Sequence, residues 1–188
     1  MANVNHNTLT DPYLHEPKGV STAITGQVYV ANGTGSGTWK QLHNYINGYL
    51  PFDSTTPAYT HSVTTSFTAL NPTFSVSVAD GWTGLSSPNA RLKYTDTADT
   101  VASVNFTLSF KNASGTSRDV EFIFYKNGTP LNGGHTIATA LNGEWKVLTL
   151  TDIGEFSTDD YLEVFVKGSS SFSLLVAAAS LTVVGAPI

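Results

Sequence analysis

The sequence contains no cysteine among its 188 residues. Disulfide bonds and zinc sites built on thiolates are therefore excluded. Arginine occurs only twice, at Arg91 and Arg118, and the formal charge at pH 7 is −5. Binding to a nucleic-acid backbone requires clustered positive charge, so this balance argues against nucleic acid as a partner.

The chain is also poor in charge of either sign and has no long apolar run. Charged residues make up 12% of it, about half of the roughly 25% that is usual in soluble domains. Its longest apolar run, residues 174–179, is far shorter than the roughly 20 residues of a membrane-spanning helix, so we expect no membrane partner. Residues 1–10 lack a basic start followed by an apolar stretch, so we expect no secretory signal and expect synthesis in a cytoplasm.

What the chain has instead is threonine, serine, asparagine and glycine, which favour turns and solvated strand faces over helix interiors. From about residue 60 onward, apolar and polar residues alternate with a period of two, as in half-buried strands. Turn sequences such as Asn127-Gly128 and Asn142-Gly143 separate the alternating segments. Eight or nine short strands at this spacing predict an all-β protein with a β-sandwich or jelly roll.

Three segments of the chain differ in pattern. Residues 1–25 have no apolar period and are predicted to form an extended arm. Residues 26–59 hold a short apolar strand and a glycine-rich turn, and are predicted to form a small β-hairpin module with a linker. Residues 60–188 are predicted to form the jelly-roll head.

The middle segment leaves one alternative open. Residues 38–47 fit either a short helix that begins with Thr38 as its cap or the second strand of the hairpin. The linker is placed at residues 43–60, because three helix- and strand-breaking residues occur there: Gly48, Pro51 and Pro57.

Two of the predicted strands carry apolar residues on both faces. In residues 120–125, Ile123 and Tyr125 lie on the face opposite Phe122. In residues 171–184, apolar residues occupy both the odd and the even positions, which correspond to the two faces of a strand. One all-β subunit has no helix to cover a second apolar face, so we expect association between subunits to cover it. The predicted trimer-interface residues are Ile123, Tyr125, Leu175, Ala177, Ala179 and Leu181.

Part of the head resembles a known family. Residues 122–130 (FIFYKNGTP), residues 157–166 (STDDYLEVFV) and the apolar last strand resemble the jelly roll of the tumour-necrosis-factor and complement globular-head type. The resemblance covers roughly residues 60–186. It implies a homotrimer whose threefold axis is lined by apolar and aromatic side chains, with the C-terminal strand at the axis.

The N-terminal part resembles a different group. Residues 14–19 (LHEPKG) and residues 26–39 (GQVYVANGTGSGTW) look like the start of tailed-bacteriophage virion proteins. Capsid decoration proteins, head fibres and some tail fibres belong to that group. The resemblance implies a short attachment arm before an exposed trimeric head, synthesis in the cytoplasm of a bacterial host, and a final location on the virion surface.

Motifs for other chemistry are weak. The glycine-rich residues 32–37 lack the Gly-Lys-Ser/Thr ending of a phosphate loop, which favours a hairpin tip. The histidines lack metal-ligand spacing, and Asp159-Asp160 is better explained as a pair of solvated turn carboxylates than as a calcium site. No nucleophile elbow occurs, and paired carboxylates for sugar hydrolysis remain a minor alternative. We therefore expect a protein that is not an enzyme, with no metal and no cofactor.

The arm is the strongest functional candidate. Its central residues are too few to fold alone and become ordered only against a partner. We expect the partner to be the major capsid protein, which makes this chain a trimeric decoration (cement) or head-fibre protein on the capsid exterior. The predicted capsid-binding residues are Tyr13, Leu14, His15, Glu16, Pro17 and Lys18.

The alternative function is host attachment. A tail-fibre or adhesin head would bind host surface glycans through exposed tryptophan, tyrosine and asparagine side chains. Trp39, Trp82 and Trp145 are candidates for stacking on a sugar face, although packing in a core or an interface explains a tryptophan more often.

Overall fold

The computed structural model describes residues 23, 27–31, 37–51, 57–84 and 90–188. These residues form 14 β-strands, and no helix occurs among them. They belong to two compact units, Met1–Leu42 and His43–Ile188. The predicted all-β class is confirmed. The six predicted arm residues, 13–18, lie outside the described residues.

The described part of the first unit is an antiparallel hairpin of β1 (Gln27–Ala31) and β2 (Gly37–Gln41). Tyr29 lies directly opposite Trp39, and their rings meet edge to face with centroids 5.4 Å apart. Cross-strand aromatic pairs of this kind stabilise a hairpin. The strand alternative for the start of residues 38–47 is therefore confirmed, and the helix alternative is wrong.

The second unit is a jelly-roll sandwich of two six-stranded sheets. The first sheet has the order β12-β9-β14-β3-β6, with β4 paired to β14, and the second has the order β11-β10-β13-β8-β7, with β5 paired to β13. The strands of the first sheet are β3 (Asn44–Leu50), β4 (Tyr59–Val63), β6 (Ser75–Asp80), β9 (Thr100–Asn112), β12 (Lys146–Phe156) and β14 (Phe172–Pro187). Those of the second sheet are β5 (Thr68–Ala69), β7 (Trp82–Gly84), β8 (Leu92–Tyr94), β10 (Arg118–Lys126), β11 (Thr129–Ala140) and β13 (Tyr161–Gly168).

The core lies between the two sheets and follows the period-two pattern of the sequence. On β9 every even-numbered residue from Thr100 to Asn112 is buried, and on β10 Phe122 and Phe124 face the core in the same way. Phe110 and Phe122 meet across the sandwich with ring centroids 5.5 Å apart. Each such side chain contributes about 1.5–3 kcal/mol through burial, so the alternating strands account for the sandwich.

The sandwich begins earlier than the sequence pattern predicts. β3 pairs with β14 along its whole length, from Asn44 opposite Gly185 to Leu50 opposite Ala179. Residues 43–60 are therefore not a linker throughout, and the head starts at His43 rather than at residue 60. The glycine within β3 and the proline after it read as breakers in the sequence, although Ile46 and Leu50 alternate inward.

A bulge changes the faces of the last strand. The register between β14 and β9 shifts between Val176 and Ala178, and both Val176 and Ala177 are buried. The extra residue reverses the parity of the strand, since a bulge sets two residues opposite one. Ala179 and Leu181 thus join the same core as Leu174. The predicted second apolar face of β14 is therefore wrong for Ala177, Ala179 and Leu181, whereas Leu175 does lie on the outward face.

A buried polar cluster ties the two sheets together at one end. The Asn44 amide donates a hydrogen bond to Thr100 Oγ1 (2.8 Å) and accepts one from Trp82 Nε1 (2.9 Å). The hydroxyl of Tyr94 donates to the carbonyl of Ala98 (2.6 Å). Because unpaired buried polar groups are costly, these contacts specify how β3, β7, β8 and β9 meet.

Candidate functional site: a subunit-association face

The outward face of the first sheet is almost free of charge. We define the association face as the outward side chains of β3, β9, β12 and β14 together. Among them only Lys111 and Glu155 are charged, and they lie at opposite ends of the face. A solvated strand face is normally polar, and this one combines uncharged polar side chains with exposed apolar ones, which makes it a candidate for association with another protein.

Large apolar side chains stand exposed on this face. Val147 is 72% exposed, Ile153 is 71% exposed and Val184 is 54% exposed. Ile153 and Val184 flank Ser103 of β9 in one cross-strand row. The alternation of residues 147–153 contains the signal, but the sequence analysis did not identify these residues as a surface.

Hydrogen bonds between uncharged side chains occupy the centre of the association face. The Asn47 amide donates to Thr182 Oγ1 (2.7 Å) and to Ser180 Oγ (3.3 Å), and the hydroxyls of Thr107 and Thr149 are 3.3 Å apart. These side chains satisfy one another within the sheet. They therefore need not retain water when a partner covers them, which lowers the cost of desolvation.

A shallow apolar depression of about 190 Å³ interrupts the face beside the bulge of β14. Small side chains make it, because Ala178 and Ser180 of β14 lie next to Ser109 of β9. Val147 forms its rim. The depression has room for about one apolar side chain.

The outward face of the second sheet is of the opposite kind. The carboxylate of Glu121 binds Lys167 Nζ at 2.8 Å and His135 Nε2 at 2.5 Å. Partial burial raises the pKa of the Glu121 carboxyl, but the hydrogen bonds from Lys167 and His135 outweigh burial and leave the pKa below its usual value. Glu163 forms an equivalent pair with Arg91 at 2.9 Å.

An aromatic group lies between these ion pairs. The rings of Tyr125 and Phe165 are stacked with centroids 3.9 Å apart, and Phe67 meets Tyr125 edge to face at 6.1 Å. Lys167 lies over the ring of Phe67, 4.4 Å from its centroid. The charged and aromatic side chains of this sheet therefore hold one another in place. A face with such paired charges is compatible with exposure to water.

The structure does not bring the six predicted interface residues together. Ile123 and Tyr125 lie on the outward face of the second sheet, where Ile123 is only 8% exposed. Leu175 lies on the outward face of the first sheet, near its Lys111 end. The other three lie in the core of the subunit and are not available to a partner: Ala177, Ala179 and Leu181.

The acidic pair predicted as turn carboxylates has basic partners. Asp159 binds Lys93 Nζ at 2.6 Å, and Asp160 binds Lys126 Nζ at 2.7 Å. Partial burial raises the pKa of the Asp160 carboxyl, but hydrogen bonds from Lys126, the Ser157 amide and Asn127 give a net lowering. Within the described part of the chain, no group of three His, Asp or Glu side chains is placed to hold a metal ion.

Of the tryptophans predicted as sugar-stacking candidates, Trp82 is buried in the core, where its ring meets Phe156 at 5.0 Å. Trp39 pairs with Tyr29 in the hairpin, and Trp145 lies under Lys111 at 4.4 Å. Packing thus explains Trp82. No helix in the described ranges has the length and apolar character that spanning a membrane requires.

No protein-family model and no curated protein sequence matches the chain. Solved structures of similar fold include PRD1 vertex protein P5, with 10% identity and a TM-score of 0.49 over 79% of this chain and 100% of that one. Murine APRIL at pH 5.0 has 10% identity and a TM-score of 0.44 over 76% of this chain and 98% of its own. Eiger TNF from S. frugiperda has 9% identity and a TM-score of 0.45 over 77% of this chain and 94% of its own.

Proposed function

We propose that the protein is a non-enzymatic structural protein of a phage virion, a homotrimeric decoration or head-fibre protein on the capsid exterior. The observation that supports this most directly is the contrast between the two sheets. One outward face carries only two charged residues, one near each end, and exposes Val147 and Ile153, whereas the other carries mutually paired charges. In a trimer the first face is buried between subunits and the second faces solvent.

The energetics favour self-association through this face. Fully burying an exposed valine or isoleucine contributes about 1.5–3 kcal/mol, and Val147, Ile153 and Val184 each offer such a gain. The depression beside Ala178 accepts one further side chain. A threefold arrangement is the one that the resemblance to tumour-necrosis-factor jelly rolls implies.

The N-terminal arm provides the attachment in this proposal. The arm residues 13–18 bind the major capsid protein, and Pro12 and Pro17 restrict their conformations and so lower the entropy lost on docking. Three arms linked through one trimeric head bind by avidity, so a modest affinity for each arm is sufficient.

Deletion of residues 1–19 tests the role of the arm. We expect the truncated protein to remain a soluble trimer and to fail to join capsids, because the head keeps its association face while the docking residues are lost. Co-sedimentation with capsids measures incorporation, and light scattering on a sizing column measures the oligomeric state. Undiminished incorporation of a folded, truncated trimer contradicts the proposal.

The second candidate function is a tail-fibre or adhesin head that binds host surface glycans. It is favoured by one feature of the second sheet, an open cleft of about 220 Å³ beside Glu121 and Lys167. Labelling of the protein on intact particles, followed by electron microscopy, separates the two candidates. We expect label over the whole capsid shell, whereas label confined to the tail favours the adhesin.

A further inference from the structure

The cleft on the second sheet lies where β10 begins and β13 ends. Asp119 and Glu121 of β10, Ile137 of β11, Lys167 of β13 and Ser169 after it line a volume of about 220 Å³. Such a volume is below the roughly 300–1,000 Å³ of sites for drug-sized ligands. It therefore suits one small ring rather than an extended molecule.

The polar groups of the cleft are held in place before any ligand arrives. Both oxygens of Glu121 accept hydrogen bonds, from His135 and from Lys167. One oxygen of Asp119 accepts a hydrogen bond from Thr139 at 2.9 Å. Because these side chains lie on strands and are already oriented, little side-chain conformational entropy is lost when a ligand binds.

Several groups of the cleft keep capacity for new hydrogen bonds. Within the described part of the chain, the second oxygen of Asp119 and the hydroxyl of Ser169 have no side-chain or backbone partner. The Lys167 ammonium has three N–H donors, of which one is directed to Glu121. The cleft thus offers an acceptor, a donor and a hydroxyl that serves as either.

One wall of the cleft is apolar. Ile137 is 64% exposed although it lies directly opposite Glu121 in the sheet. Ile137 is not part of the hydrophobic core of the sandwich. It supplies a flat aliphatic surface next to the polar groups.

We propose that this cleft binds one neutral sugar ring. The ring's hydroxyls donate to Asp119 and accept from Lys167, and its C–H face lies against Ile137. The two carboxylates and one ammonium of the lining sum to one negative charge, which disfavours an anionic ligand. A sugar hydroxyl both donates and accepts, so it satisfies Asp119 and Lys167 together, whereas an ammonium ligand has no acceptor for Lys167. The inference deepens the second candidate function and is independent of the trimer.

Saturation-transfer NMR on the full-length protein tests this proposal. The probes are D-glucose, D-galactose, L-rhamnose and N-acetyl-D-glucosamine, each at millimolar concentration, with D-galacturonate as the anionic counterpart and lysine methyl ester as a cationic probe. We expect transfer to at least one neutral sugar. Asp119→Asn and Ile137→Asp should each weaken its binding at least tenfold, because one removes the acceptor's charge and the other removes the apolar wall.

Val76→Asp is the matched control, since Val76 is also an exposed apolar strand residue but lies on β6 of the first sheet. It should leave the sugar signal unchanged. The proposal is overturned if no neutral sugar shows transfer, if both cleft variants bind as the unmodified protein does, or if only the cationic probe binds. A trimer that joins capsids normally while binding no sugar contradicts this site alone and leaves the structural role intact.

Discussion

At the scale of single residues, the buried polar cluster around Asn44 is where side-chain chemistry matters most. Asn44 and Tyr94 lie fully inside the sandwich, and their hydrogen bonds reach both sheets. Burial, followed by the negative charges of Asp96 and Asp99, raises the pKa of Tyr94 to about 12. Because the folded protein favours the neutral phenol, the free energy of unfolding depends on pH in the alkaline range.

The titration of Tyr94 leads to a prediction for stability. The folded-state pKa of Tyr94 lies above the value of 10.0 in the unfolded chain, so the stabilisation is complete below pH 10 and is lost as the pH rises towards 12. We expect the free energy of unfolding to fall over that interval, as measured by urea titration at pH 9 and at pH 11.5. Tyr94→Phe should lower stability at pH 9 and flatten the decline. An equally steep decline in this variant would assign the effect to other groups.

At the scale of elements, the bulge in β14 decides the composition of both surfaces of the last strand. Because Val176 and Ala177 both point inward, Ala179 and Leu181 are buried, and Ser180 and Thr182 reach the association face. Without the bulge, those two hydroxyl residues would occupy the core. One extra residue in the strand therefore allows its apolar residues to face the core and its hydroxyl residues to face outward.

Insertion of one alanine between Ser180 and Leu181 is the matching prediction at this scale. The insertion reverses the parity of the strand after it, which turns Thr182 towards the core and Leu181 towards solvent. We expect a loss of more than about 4 kcal/mol in the free energy of unfolding, seen as insoluble protein or as a cooperative transition at much lower denaturant concentration. Deletion of Ala177 is the control and should cost far less, because Val176 and Ala178 already lie opposite consecutive residues of β9, so every later residue keeps its face.

At the scale of the whole molecule, charge is segregated between two faces of one sandwich. The second sheet carries Glu121, Glu163 and their basic partners, and the association face has a single charged residue near each end. Paired surface charges contribute little to the stability of one subunit. The proposed assembly accounts for their uneven distribution, since in it one face meets water and the other meets a second subunit.

The proposed trimer leads to a prediction for the oligomeric state of variants. The double variant Val147→Asp with Ile153→Asp places two carboxylates on the association face at highly exposed positions, so each subunit should still fold. We expect native mass spectrometry at low micromolar concentration to find a trimer for the unmodified protein and a monomer for the double variant. Ile137→Asp, an equally exposed change on the second sheet, should remain a trimer. A folded monomer of the unmodified protein would contradict the proposed assembly.

The sequence by itself determined the class of fold, because the alternation of apolar and polar residues is a local pattern that by itself indicates a half-buried strand. The faces of the strands were decided only by tertiary structure. Pairing between Asn44 and Gly185 joins residues far apart in the chain, and the bulge at Ala177 arises from the register with β9. The exposed set Val147, Ile153 and Val184 becomes one surface for the same reason, since it is the order of strands in the sheet that brings β12 and β14 to either side of β9.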